Sequence, residues 1–153
     1  MFSGTSTAGN ATLVAYGGIN DSYGGRIIFY DKSSGGASKI KLSSNGELDI
    51  SSHTNGITIG SLELTGGVIR IQLGNNLTNL SVSGELCINS THTDFDFKNQ
   101  KQGGFVFNKA YKILTNTKLA SFTTAQFRGS SIEGVEPAFS IEGNDLYVEF
   151  IKK

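Results

Sequence analysis

From residue 45 to residue 78 the chain reads NGELDISSHTNGITIGSLELTGGVIRIQLGNNLT. Apolar side chains occupy alternate positions in short groups, and alternation with period two is typical of a strand with one buried face. Between the groups lie Asn-Gly, Gly-Ser, Gly-Gly and Asn-Asn, which favour turns because they tolerate positive φ or bond their own backbone. The pattern predicts short strands and bends without helices. The apolar groups are Leu48 and Ile50; Ile57 and Ile59; Leu62 and Leu64; Ile69, Ile71 and Leu73; and Leu77.

The N-terminal part of the chain contains an internal repeat, because the segment 2–13 aligns with the segment 29–40. The resulting 27-residue period is typical of a solenoid. At about 3.3 Å per residue one copy spans roughly 90 Å, enough for three short strands and three bends. The sequence therefore predicts an all-β parallel β-helix, and the first copy, which opens without a preceding cap, is interpreted as truncated. The identical pairs are Phe2/Phe29, Ser6/Ser33 and Gly9/Gly36.

The composition changes at about residue 105, where aromatic residues become frequent and glycine becomes rarer. The end of a solenoid exposes an apolar cross-section, which an atypical terminal unit must cover. We therefore predict one domain, with parallel β-helix coils over residues 1–104 and an aromatic-rich C-terminal cap over residues 105–153. We also expect this cap to seed folding.

Local signals add several smaller predictions. The Gly143-Asn144 turn predicts a hairpin between residues 139–142 and 144–151, and residues 123–127 favour a short helical turn. Asn75 and Asn76 are expected to face inward and to bond along the solenoid axis. Gly-Gly followed by an apolar strand recurs at residues 24–29, 66–69 and 103–107.

Charge and hydrophobicity limit the possible partners. Lys plus Arg and Asp plus Glu each number 13, so a zero net charge gives no electrostatic footprint for nucleic acid. Every apolar run is far shorter than a membrane-spanning helix requires, so we expect no membrane insertion by this chain. The N-terminus lacks signal-peptide features, which indicates either an intracellular protein or a piece of a longer one. Cys87 alternates with Leu86 and Ile88 and is predicted to be a structural thiol pointing away from their face.

A series of phrases runs through the chain: STAGNATL at residues 6–13, NGELDIS at 45–51, IGSLE at 59–63 and LGNNLT at 73–78. These phrases resemble the repeats of autotransporter-type surface proteins and related bacterial secreted β-helix proteins. The tail, with YKIL at residues 111–114 and NDLYV at 144–148, is similar to segments that close such passengers. The resemblance implies a right-handed parallel β-helix at or released from a bacterial surface, where it serves as an adhesive module or a rigid spacer. It also implies that a longer parent protein is exported.

Two acidic residues offer an enzymatic alternative. Asp94 and Asp96 lie two positions apart on one predicted strand face, about 7 Å from each other. Paired acids can hold Ca²⁺ or perform acid–base chemistry, so the runner-up hypothesis is a polysaccharide lyase or hydrolase. The favoured interpretation is a solvated strand face without catalysis. His53 and His92 have no Cys or second His at ligand spacing, and we expect no metal and no cofactor.

The candidate binding residues are chosen by residue type. Tyr and Arg dominate contact energies at interfaces, so we expect any host protein, cell-surface protein or glycan to be anchored by exposed members of these types. The Ser- and Thr-rich faces are equally compatible with such contacts and with a plain solubilising surface. A third hypothesis is end-to-end self-association through the open strand edges of the first coil. The candidate anchors are Tyr16, Arg26, Tyr30 and Arg70.

Overall fold

A computed structural model describes residues 1–20, 22–89, 92–99, 103–117 and 122–153. The described part is a β-solenoid of about four turns, which confirms the predicted all-β parallel β-helix with an aromatic C-terminal segment. None of the described residues forms a helix long and apolar enough to cross a membrane. The strands are β1 (Thr12–Ala15), β2 (Arg26–Ile28), β3 (Lys39–Asp49), β4 (Ile57–Ile59), β5 (Ser61–Leu73), β6 (Leu80–Val82), β7 (Leu86–Ile88), β8 (Thr93–Asn99), β9 (Tyr111–Asn116), β10 (Phe127–Gly129), β11 (Pro137–Glu142) and β12 (Asp145–Phe150).

The strands stack in two sheets that form the walls of the solenoid. One sheet has the order β1-β3-β5-β8-β10, with β2 beside β3 and β7 beside β5, and all its pairings are parallel. The other has the order β11-β12-β9-β6-β4, parallel from β4 to β9 and antiparallel from β9 to β11. Coil one comprises β1 and β2, coil two β3 and β4, coil three β5 and β6, and coil four β7, β8 and β9.

The repeat found in the sequence is the pairing register of the first two coils. Phe2 bridges Phe29 and Thr7 bridges Ser34, both in parallel and both at the offset of the sequence repeat. Later coils have other lengths because their turns differ, as the drifting Gly-Gly spacings indicated. The offset along the chain is 27 for Thr12↔Lys39, 22 for Lys39↔Ser61, 26 for Val68↔Asp94 and 34 for Thr93↔Phe127.

The corner at Gly66-Gly67 does not end a strand, contrary to the sequence-based expectation, and the corner at Asn45-Gly46 likewise lies within a strand. β3 and β5 each run through the corner and stay paired, with a register irregularity between Ser44 and Glu47. Gly66 and Gly67 have φ of 120° and 93°, which side-chain-bearing residues rarely adopt. Glycine therefore bends the chain here without breaking the ladder.

Inward side chains form apolar rows that cross the coils at equivalent positions. Leu48 stacks through the register on Ile69, which in turn lies beside Phe95, and all three are at most 1% exposed. Burial of such rows is the main favourable term in folding. The alternating groups predicted from residues 48–73 all lie in this core. Its members there are Leu48, Ile50, Ile57, Ile59, Leu62, Leu64, Ile69, Ile71 and Leu73.

The C-terminal end of the core is covered by the predicted hairpin. β11 and β12 pair in antiparallel fashion around Gly143, and β12 continues onto β9. Phe150 is fully buried, and its ring lies 5.5 Å from that of Phe97 and 5.7 Å from that of Phe105 between centroids. The predicted helical turn is a short 3-10 helix at Thr124–Gln126. Parallel pairing extends beyond residue 104 into β9 and β10, so the cap and the last coil share strands.

Two local predictions were wrong. Residues 105–107 form an irregular segment and not a strand. The rings of Phe105 and Phe107 contact each other edge to face, and this packing does not need the backbone hydrogen bonds of a strand. Asn75 and Asn76 are exposed in a turn after β5 and do not form an inward ladder. A buried asparagine that does bond along the axis is Asn116, which is 2% exposed and whose Nδ2 donates to Val82 O at 3.1 Å in the preceding coil.

Candidate functional site

Outward-facing charges from successive coils meet on the wall formed by β2, β3, β5, β8 and β10. One row across the coils follows the register Arg26↔Glu47↔Val68↔Asp94↔Arg128. Arg26 Nη2 donates to Glu47 Oε1 at 3.2 Å. Arg128 binds Asp94 with two bonds, Nε to Oδ1 at 2.8 Å and Nη2 to Oδ2 at 3.0 Å. Charges of opposite sign thus neutralise one another between coils.

The neighbouring row places Arg70 between carboxylates of the coils on either side of it. Its Nε donates to Asp96 Oδ2 at 2.6 Å, and its Nη1 lies 3.0 Å from Glu47 Oε1. Asp49 Oδ2 lies 3.7 Å from Arg70 Nη1, while Lys98 Nζ lies 3.1 Å from Asp96 Oδ2. The side chains of Glu47 and Asp49 are only 14% and 10% exposed, so solvent screens these pairs incompletely.

The ion pairs fix the protonation of Asp96 and Arg70. Burial alone would raise the pKa of Asp96, but hydrogen bonds from Arg70 and Lys98, and their positive charges, lower it below its ordinary value. Burial would likewise lower the pKa of Arg70, but the bond to Asp96 and the charges of Glu47, Asp96 and Asp49 raise it. Both groups are therefore charged at neutral pH.

An open cleft of about 980 Å³ lies beside these pairs and spans coils two, three and four. Its walls come from the turn after β3, from the end of β5 with the turn that follows it, and from the end of β8. Most lining groups are hydroxyls, amides or charged side chains, and Phe97 supplies the apolar element. The lining residues are Asp49, Ser51, Ser52, His53, Thr54, Arg70, Gln72, Asn76, Phe97, Lys98 and Asn99.

Short-range hydrogen bonds hold the polar residues of this cleft in place. Asp49 Oδ1 accepts from the backbone N of Ser51 at 3.0 Å and from its Oγ at 2.6 Å, which shapes the turn after β3. His53 Nε2 donates to Ser33 O at 2.6 Å; a carbonyl only accepts, so this nitrogen carries the hydrogen. Gln72 is 6% exposed, and its Nε2 donates to Leu73 O at 2.9 Å. Asp49, Ser51, His53 and Gln72 are therefore fixed groups of the cleft.

The structure gives Asp94 and Asp96 separate partners in neighbouring rows. Asp94 is held by Arg128, and Asp96 by Arg70 and Lys98. A general acid must be protonated at its working pH, usually through a raised pKa. Ionic partners and the lowered pKa of Asp96 disfavour that role.

The four candidate anchors are not brought together as one site. Arg26 and Arg70 share Glu47 and Asp49 as ionic partners. Tyr16 is 70% exposed but lines a separate depression, and the half-buried Tyr30 does not line the cleft.

The remaining reactive residue types lie apart from one another. Cys87 pairs in register with Glu63 on the outer wall, while Leu86 and Ile88 pack against the core, as predicted. His92 is exposed. Within the described ranges no group of three or more His, Cys, Asp or Glu residues could hold a metal ion.

Comparison with protein-family models, curated proteins and solved structures found no significant match to this chain. The function of the chain is therefore inferred from its fold and from the chemistry of its outer wall.

Sequence reasoning singled out Arg70 but missed the cleft around it. Its members come from residues 49–54, 70–76 and 97–99, which no local motif connects. The detectable signal was the register Asp49↔Arg70↔Asp96, in which the offset along the chain is first 21 and then 26. This register can be recognised in the sequence only if the lengths of the shorter coils are known, and the 27-residue repeat does not give them.

Proposed function

We propose that this chain is a non-catalytic, rigid β-solenoid module of a bacterial surface or secreted protein, acting in adhesion or as a spacer. The observation that carries the proposal is the ionic wall, in which Arg70 connects Glu47 and Asp49 of coil two to Asp96 of coil four. Backbone ladders and ion pairs run in the same direction across the coils. Such a wall resists relative motion of the coils and presents a fixed surface to a partner.

The state of the acids supports a non-catalytic role. Asp94 and Asp96 are each bound by an arginine, and the pKa of Asp96 is lowered. Carboxylates that serve to hold coils together need to be ionised, whereas a glycosidase acid needs its proton at the start of the reaction. The geometry thus favours mechanical use of these residues.

The surface location is supported by the sequence resemblance to bacterial β-helix passengers. The fold is compatible with it, because each coil buries its apolar row and leaves the outward side chains free to vary. Antibodies raised against the purified chain should label intact cells of the source organism. Labelling that requires permeabilised cells would refute surface display, and absence of the protein from culture medium as well would refute secretion.

The mechanical and adhesive parts of the proposal need separate measurements. Native-state hydrogen exchange should show the amides of β3, β5 and β8 protected together, with similar opening free energies. Beads coated with the folded chain should then be tested for retention on epithelial and bacterial cell layers, with beads carrying urea-denatured chain as the control. Amide protection together with bead retention supports an adhesive module, and amide protection without bead retention supports a spacer. Unprotected β5 amides would overturn both.

The enzymatic alternative is tested with the same purified protein. Release of reducing sugar from acidic polysaccharides should be absent with and without Ca²⁺. Activity that Asp96→Asn abolishes, while Asp145→Asn in the cap leaves it unchanged, would replace the proposed function with a carbohydrate-active enzyme.

Self-association remains a separate hypothesis. Among the described strands, β1 and β10 end the parallel sheet, and each pairs along one edge only, β1 with β3 and β10 with β8. Unpaired strand edges of this kind can add a strand of a second molecule, which permits end-to-end association through the first coil. Sedimentation velocity over a range of concentrations should then show species larger than the monomer; a monomer at all concentrations would contradict self-association.

A further inference from the structure

We propose that the open cleft between the turn after β3 and the end of β8 binds a short neutral oligosaccharide. The inference rests on the proposed adhesive function and names its ligand class. It is drawn from the volume of the cleft, from the residue types that line it and from the balance of its charges.

The size and lining of the cleft suit a ligand covered with hydroxyl groups. Its volume of about 980 Å³ is at the upper end of the range of roughly 300–1,000 Å³ found for small-ligand sites. Asn76 and Asn99 present amides, each of which offers both donors and acceptors. A sugar hydroxyl also donates and accepts, so it can pair with an amide in either direction. Ser51, Ser52 and Thr54 extend the same chemistry along one wall.

The charge balance selects a neutral ligand over an acidic one. Arg26, Arg70 and Lys98 lie against Glu47, Asp49 and Asp96 in a closed set of contacts between 2.6 and 3.7 Å. Three cations and three anions leave no net charge on this part of the wall. An anionic ligand would have to compete with carboxylates already bound to these cations, whereas a neutral ligand needs none of them displaced.

Asp49, Ser51 and His53 are already held in place before a ligand arrives. Asp49 is held by Ser51 and by the two arginines, and His53 is held by Ser33. Ordering of this kind reduces the entropy lost on binding. Phe97 is 5% exposed and packs on Phe95 and Phe150, so the small part of it that reaches the cleft is a fixed apolar surface.

A peptide ligand fits this surface less well. Peptide recognition uses an exposed strand edge or deep apolar pockets for anchoring side chains. Here β5 is paired on both sides, with β3 and β8, so its backbone is not free to add a strand. The cleft is open and most of its lining residues are polar, which favours hydrogen bonding to hydroxyl-rich ligands.

The test is titration of the ¹⁵N-labelled chain with oligosaccharides of four to six sugar units, followed by NMR. Neutral gluco-, manno-, xylo- and chito-oligosaccharides form one arm, and oligogalacturonate and heparin fragments form the other. Each is taken to about 10 mM, ten times the Kd of a weak millimolar complex. We expect at least one neutral series to shift the side-chain amide signals of Gln72, Asn76 and Asn99. Binding of acidic series alone, shifts confined to other surfaces, or no shifts with any series would each overturn the proposal.

A matched pair of variants locates the binding. Asn76 is exposed in the cleft, and Asn89 is exposed beside the depression that contains Cys87. Asn76→Ala should raise the Kd of the neutral oligosaccharide at least tenfold, and Asn89→Ala should leave this Kd unchanged. Equal effects of the two changes would contradict a site at the cleft. Because both side chains are exposed, both variants should keep the circular dichroism spectrum of the parent.

The outcomes separate this inference from the proposed function. Cell retention that persists when no neutral oligosaccharide binds would leave the adhesive module intact and reject the ligand class. Loss of cooperative protection in hydrogen exchange would instead reject the rigid module itself, whatever the cleft binds.

Discussion

The ring of Phe2 lies on the ring of Phe29, with centroids 4.8 Å apart and planes inclined by 12°. The separation equals the spacing of about 4.8 Å between neighbouring strands of a sheet. The two residues are also bridged through their backbones, 27 positions apart in the chain. Residues that are equivalent in the sequence repeat therefore lie directly above one another in adjacent coils.

The same relationship between Gly9 and Gly36 gives a first prediction. Both have positive φ, 55° and 56°, but a Cβ on Gly9 would meet nothing within 4 Å, whereas one on Gly36 would lie 2.7 Å from Gly9 O. Gly9→Ala should cost about 1–2 kcal/mol from backbone strain alone. Gly36→Ala should cost about 2–4 kcal/mol, because overpacking against backbone adds to the strain. Urea unfolding followed by circular dichroism measures both. Equal destabilisation would show that coil contact at this corner is looser than described.

Ile69 lies at the centre of β5 and is 0% exposed. Ile69→Ala should lower the free energy of unfolding by about 2–5 kcal/mol, and Ile69→Val by about 0.5–1.5 kcal/mol, because each removes buried methyl groups and leaves a cavity. The valine variant keeps the test informative if the alanine variant does not fold. Val14→Ala on the outer face of β1, where the side chain is 41% exposed, should change stability by less than about 1 kcal/mol.

Arg70 is predicted to stabilise the fold more than an ordinary surface ion pair. Arg70→Gln leaves Glu47, Asp49 and Asp96 without their shared cation, and the arginine side chain is only 26% exposed. We expect a loss of about 1–2 kcal/mol, between the values for exposed and for buried pairs. The control is Lys41→Gln, which breaks a pair with Glu63 whose side chains are 50% and 43% exposed and should cost less than about 0.5 kcal/mol. Indistinguishable unfolding midpoints would argue against a stiffening role for this wall.

The lowered pKa of Asp96 makes stability depend on pH in the acid range. Its pKa in the folded state lies below the ordinary value of 3.8, so the folded state binds this proton less readily than the unfolded state. The contribution is fully present above about pH 4 and is lost as the pH falls through the folded-state pKa. Asp96→Asn should therefore be less stable than the parent at neutral pH and show a shallower decline below pH 4. Parallel pH profiles would contradict this assignment.

Much of the fold was readable from period-two alternation and from the 27-residue offset. Those two signals correctly predicted the buried rows and the parallel stacking, and the Gly143-Asn144 turn correctly predicted the hairpin. They failed where the sequence does not record geometry: Gly66 and Gly67 look like a strand end but bend a continuous strand. Asn75 and Asn116 are chemically identical, and only the direction of the chain at each position decides which one is buried.

The cleft was beyond sequence reasoning for a related reason. Asp49 and Lys98 are 49 positions apart and come together only because coils three and four have particular lengths. Those lengths depend on turns, which tolerate insertions and leave no periodic signal. Arginine and tyrosine frequencies at interfaces singled out Arg70 but could not supply its neighbours. Residue type alone therefore predicts a candidate residue and not a site.

The last prediction concerns the cap. A chain ending at residue 136 lacks β11 and β12, which uncovers the edge of β9 and removes Phe150 from its contacts with Phe97 and Phe105. The larger deletion of residues 105–153 is a less clear test, because it also removes β9 and β10 from the parallel ladders. Exposed aromatic surface and an unpaired strand edge promote aggregation, so we expect insoluble material or a species that binds a hydrophobic dye.

Its control is a chain ending at residue 150, which keeps β12 complete and removes Ile151, a residue already 52% exposed. That chain loses the two hydrogen bonds between Asn108 and the backbone of Lys152 and should remain soluble with a slightly lower unfolding midpoint. A point variant, Phe150→Leu, should stay folded and be destabilised by about 1–3 kcal/mol through poorer packing. If the chain ending at residue 136 is instead soluble, monomeric and as rich in strand as its length predicts, the hairpin does not cap the solenoid. The rows of coils one to four would then be sufficient to hold the fold without the hairpin.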